Sequence, residues 1–169
     1  MTSEFQNKKL EKGHPIQNYL DETLLIHSIT DDLIHVDINN DFQKFYNLFN
    51  QLATIEKRFE RKENQLFPFL EQKGWTGPSQ NMWSFHDIIR QIFRIVRQNI
   101  EDKNLISAKH NTELAIQNIN RLLEVEEIVL FPNALEILSD DDWKVMRRGE
   151  DEIGWMLADV PPNYPNEPE

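Results

Sequence analysis

Apolar residues recur three and four positions apart through most of this chain, and only 5 of its 169 residues are glycine. That rhythm predicts long amphipathic helices, and no stretch alternates with period two for long enough to make a sheet. The first helix is expected at "GHPIQNYL", with Gly13 before it, Pro15 in its first turn and Ile16, Tyr19, Leu20, Ile26 and Leu33 on one face. It should fade at "HVDINND". The second starts near Asp41, read as its N-cap, and carries Phe45, Leu48, Leu52, Ile55, Phe59 and Leu66. Pro68 and the following "KGWTGPSQ" are expected to end it. The third starts near Ser79 with Met82, His86, Ile89, Phe93, Val96 and Ile100. The fourth runs from about Ser107 to Phe131 with Ala115, Ile119, Leu122, Glu126 and Leu130, and Pro132 interrupts it.

Four such helices joined by short polar connections predict an all-α, antiparallel up-down-up-down four-helix bundle. Ser139 and Asp140 are N-cap candidates for a short fifth helix stopped by Gly149. The expected organisation is an N-terminal arm at 1–12, the bundle with its C-terminal extension at 13–157, and a linker or frayed tail at 158–169, leading into a further domain. Trp75, Trp83, Trp143 and Trp155 fall outside the four stripes. They are expected to cap one end of the bundle, a homodimer surface being the alternative.

The composition, 39% hydrophobic and 28% charged, is that of a globular chain. A formal net charge of −11 opposes nucleic-acid backbones and anionic membrane surfaces, and is compatible with binding cations. No apolar run is long enough to span a bilayer, and the N-terminus lacks the apolar core of a signal peptide. There is no cysteine, which excludes disulfides, thiolate metal sites and thiol catalysis. The expected compartment is the cytoplasm. No serine–histidine–acid set, phosphate-cradling glycine loop or haem motif is present, so a non-enzymatic role without nucleotide is expected.

A phrase occurs twice: "ENQLFPFLEQ" from Glu63 and "EIVLFPNALE" from Glu127. Aligning the copies sets Arg58 opposite Leu122, Lys62 opposite Glu126 and Glu63 opposite Glu127. In an alternating bundle these positions share a pole with His14, Gln17 and His86. His86 interrupts an apolar stripe between Met82 and Ile89, and Glu126 interrupts another. A buried carboxylate must be solvated, protonated, paired with a cation or bound to metal. A hydrogen-bonded core histidine and half-exposed carboxylates are the simpler reading. A metal pair held by Glu and His from four helices is the sharper one, and this donor set suits iron, manganese or zinc. Glu126 and Glu127 are alternative inward-facing residues.

The segments "GHPIQNYLDE", "RKENQLFPFLEQKGWTGPSQNMWSFHDIIR", "EEIVLFPNALEILSDDDW" and "DEIGWML" resemble the hemerythrin-like HHE cation-binding domain, in the form joined to a C-terminal PAS sensor domain. The resemblance spans about Gly13 to Leu157. It implies a four-helix bundle holding a non-haem di-iron centre, with roles in binding oxygen or nitric oxide, or in iron handling and redox sensing. It also implies a fused or partner PAS domain. Carried over position by position, the ligand set is degenerate. Gln17 stands where these relatives tend to have His, Arg58 stands in the second-helix histidine position, Leu122 in the fourth-helix position, and Met82 one turn before His86. What remains is His14, Glu63, His86, Glu126 and Glu127, with Glu22 as a further carboxylate.

One or two imidazoles and three acids would hold a single cation weakly and two irons poorly. Arg58 cannot ligate a metal, because its guanidinium is always charged. The expectation is that its fork pairs with Glu63, Glu126 or Glu127 and supplies the charge a metal would have brought; the alternative is that Arg58 reaches out to solvent. The favoured function is a sensory or regulatory hemerythrin-like module with a degenerate site. The alternative is an iron protein responding to oxygen or nitric oxide, or one of iron-stress repair.

Overall fold

The protein is described by a computed structural model covering residues 10–166. All regular structure among these residues is helical, so the all-α class stands. Helix α1 spans Pro15–His35. Helix α2 is a composite of Phe42–Ala53, Ile55–Arg61, a wide π turn at Lys62–Leu66, and Phe67–Gln72. Helix α3 spans Gly77–Glu101. Helix α4 is a second composite, Leu105–Val125, a π turn at Glu126–Leu130, and Phe131–Ile137. Helix α5 spans Asp140–Ile153. No helix among the described residues is long and apolar enough to cross a membrane. The first nine residues of the expected N-terminal arm lie outside the described residues.

The expectation that Pro68 and Pro132 break their helices is corrected. Phe67 N–H bonds Lys62 O and Phe131 N–H bonds Glu126 O, each a step of five residues. The extra residue opens the turn ahead of each proline, where its ring would otherwise meet a carbonyl. Each proline then sits in the first turn of the next helical piece, where a missing N–H costs little. The repeated phrase therefore encodes a matched pair of π turns.

Other boundaries shift for local reasons. Helix α3 begins at Gly77 rather than Ser79, with Pro78 in its first turn. Helix α4 begins at Leu105 because Asn104 caps it by accepting from Ser107 N–H. Ser139 caps α5 in a reciprocal box with Asp142, but Gly149 does not stop that helix. The side chain of Gln65 fills the space a Gly149 Cβ would need, at 2.4 Å. Gly154, at φ 108°, is the residue that ends α5.

Side-chain hydrogen bonds tie the helices to one another. Arg58 donates to Tyr19 O and Thr23 Oγ1 between α2 and α1, and His86 meets Glu63 between α3 and α2. Asn111 bonds Asn99 between α4 and α3, and Lys109 Nζ donates to Leu33 O between α4 and α1. The apolar core holds Ile16, Tyr19, Phe45, Phe59, Ile89, Ile119 and Leu130, and Phe49 with Val96 forms a satellite cluster. Helix α5 packs on the first half of α1 and the middle of α2, and it encloses charged groups that would otherwise face water.

Candidate functional site

The two π turns bring Lys62 and Glu126 face to face. Glu126 Oε1 accepts from Arg58 Nη2 at 2.7 Å, and Oε2 accepts from Lys62 Nζ. All three side chains are fully buried. Arg58 Nη1 also donates to Tyr19 O at 2.7 Å and Nη2 to Thr23 Oγ1 at 3.0 Å, which fixes the guanidinium plane. Burial works to raise the Glu126 pKa, but Arg58 and Lys62 outweigh it and hold the carboxyl at about 2. Burial lowers Lys62 to about 8 against the opposing pull of Glu126.

Beside this triad, His86 stacks flat on Phe59 with ring centroids 4.2 Å apart. Burial, followed by the positive charge of Lys62, pushes its pKa far down, so the ring is neutral. Its Nδ1 lies 2.7 Å from Glu63 Oε2 and donates there, leaving the buried Nε2 without a partner. Both oxygens of Glu63 are further gripped by Arg90, each at 2.9 Å. Arg90 also forks onto Glu56.

A second tier lies under α5. Glu22 Oε1 accepts from Arg61 Nη2, and its Oε2 accepts the Met156 N–H at 2.9 Å. Arg61 Nη1 donates to Gly154 O at 2.8 Å, and its Nε stands 3.7 Å from Glu150 Oε2. Trp155 covers both Arg61 and Arg147.

Of the sequence candidates, Arg58, Glu63, His86 and Glu126 converge. Arg58 is fully buried rather than reaching out to solvent, and of its three candidate partners Glu126 is the one it binds. Glu127 is half-buried while Glu126 faces inward. His14 does not join the group. It caps α1 by accepting from Ile16 N–H and packs against Trp143 and Tyr164, and burial lowers its pKa to about 4. The residues that sequence reading missed are Arg61, Arg90, Arg147 and Glu150, and Lys62 was placed by alignment without a role. The run "EKRFERKEN" looks like a solvated helix face. The one available signal was Lys62 standing opposite Glu126 in the repeated phrase.

This donor set does not fit a pair of irons. Both oxygens of Glu126 and of Glu63 already serve fixed cations, and His86 Nε2 offers a single imidazole. Among the described residues, no three or more His, Asp or Glu side chains are grouped to hold a metal ion. Neither a protein-family model nor a curated protein matches the chain.

Proposed function

We propose that the chain is a non-enzymatic, hemerythrin-like module, an up-down-up-down four-helix bundle in which fixed cations stand where a di-iron centre would sit. Its role is sensory or regulatory, passing a conformational state to an attached or partner domain rather than turning over a substrate. The observation that carries this reading is Glu126 clasped from both sides by Arg58 and Lys62 in a fully buried setting. A guanidinium and an ammonium deliver two positive charges to the carboxylate, with no coordination chemistry to exchange. Buried charge networks of this kind add little net stability, so the role that suits this one is to fix one arrangement of the helices.

The alternative, an iron protein responding to oxygen or nitric oxide, draws on the unpartnered Nε2 of His86. Metal analysis separates the two. Protein purified without chelator from iron-rich culture should carry far less than one iron per chain and show no oxo-bridge charge-transfer band. Near-stoichiometric iron with such bands would overturn the proposal.

A further inference from the structure

The metal-replacement reading makes no use of Glu150. This carboxyl is fully buried in α5, yet neither oxygen has a hydrogen-bond partner. From α2, the Nε of Arg61 comes within 3.7 Å and is itself unpartnered, while the other nitrogens of Arg61 are committed to Glu22 and to Gly154 O. From α1, the buried and unpartnered hydroxyl of Tyr19 and the carboxylate of Glu22 act on it electrostatically; from α5 itself, Arg147 and Asp151 do. A carboxyl with no donor on either oxygen tolerates burial when neutral and demands hydration when charged. Burial accordingly raises Glu150 to about 8, against the opposing pull of Arg61 and Arg147.

The same groups tie down the segment that follows α5. Arg61 holds Gly154 O and Glu22 holds Met156 N–H. Arg147 donates to Pro161 O at 2.8 Å and to Pro162 O at 3.2 Å. Tyr164 bonds Asp140 and packs edge-on to His14. Apart from its Tyr164 end, this short run of chain is thus fastened to Arg61, Glu22 and Arg147, three buried side chains that act on one unsatisfied carboxyl.

We propose that Gly154–Tyr164 is a strap whose opening is governed by the ionisation of Glu150. The neutral carboxyl leaves Arg61 to Glu22 and Gly154, and the strap stays closed. The charged carboxylate competes for the Arg61 guanidinium and requires water, which reaches it as Trp155 and Gly154 lift away. The device stands on the α5 face and is independent of whether metal binds between α2 and α4.

Hydrogen exchange on the full chain tests it, reading the Met156 amide at pH 6.5 and pH 9 after correction for intrinsic exchange. Protection of Met156 should fall about tenfold at the higher pH in wild-type protein, while α4 core amides such as Ile119 keep theirs. In Glu150→Gln, which carries no ionisable group there, Met156 protection should be the same at both pH values. Should Glu150→Gln fail to fold, the wild-type comparison of Met156 with Ile119 decides alone. Unchanged Met156 protection in wild type, an equal fall in the Gln variant, or a parallel fall at Ile119 would each overturn the strap.

Discussion

Lys62 and Glu126 each stand one residue ahead of a copy of the repeated sequence phrase, and in the folded chain they bond to each other. Each opens a π turn, and the two buried side chains meet between α2 and α4. Arg58, one turn earlier in α2, completes the clasp on the other oxygen at 2.7 Å. The repeat is therefore a device for placing opposite charges at the centre of an apolar scaffold.

Removing one partner should cost far more than removing all three. Arg58→Ala leaves Glu126 with Lys62 alone and strips donors from Tyr19 O and Thr23. The expected loss in urea unfolding at pH 7 is about 3–5 kcal/mol. The combined Arg58→Met, Lys62→Met, Glu126→Leu variant should be close to wild type or more stable, because no uncompensated charge remains. If the triple variant lost more than Arg58→Ala, the clasp would not be electrostatically self-contained.

Acid should weaken the fold through Glu126. Its carboxyl is held at about 2 in the folded chain against an ordinary value of 4.5. The folded state therefore binds fewer protons, and the resulting stability is present above about pH 4.5 and lost as pH falls toward 2. The size is about 3 kcal/mol from the shift. Urea midpoints measured from pH 6 to 2 should show this decline in wild type and a much shallower one in the triple variant.

Glu150 acts with the opposite sign. Burial raises it to about 8 from 4.5, so between those values the folded chain keeps a proton that the unfolded chain has released. Its contribution to stability should fall as pH rises from about 4.5 to 8 and then level off. Glu150→Gln should abolish this slope and be more stable than wild type at pH 8 by thermal unfolding. A variant less stable than wild type at pH 8 would show that the charged carboxylate is being used.

Gly13 is a backbone test of how the C-terminal segment is seated. It has φ 90°, and a Cβ there would stand 2.4 Å from Pro162 O and 2.6 Å from Asn163 O. Both contacts are backbone, so neither can yield by a side-chain rotation. Gly13→Ala should destabilise by about 1–3 kcal/mol and increase proteolysis between Leu157 and Asn163. Unaltered cleavage and stability would mean that the segment is not held against α1.

The apolar half of the fold was legible in the sequence, because helical spacing alone carried it. Phe45, Leu52, Phe59, Ile89, Ile119 and Leu122 were placed on inward faces and are buried. The odd residues on those faces, His86 and Glu126, were legible as anomalies for the same reason. Arg61 and Lys62 were not, since a run of alternating charge reads as a solvated helix face. They are buried because Lys62 meets Glu126 across the bundle and because α5 covers Arg61. Neither cause leaves a local mark in a run of alternating charge. The prolines misled for a related reason: Pro68 and Pro132 read as breaks unless the turn before them can widen.

The most direct measurement is a crystal structure of protein exposed to excess ferrous iron, with diffraction collected across the iron absorption edge. The account predicts no anomalous peak among Glu63, His86 and Glu126, and Arg58 still bonded to Glu126. Two anomalous peaks among those side chains, with Arg58 turned away, would contradict it.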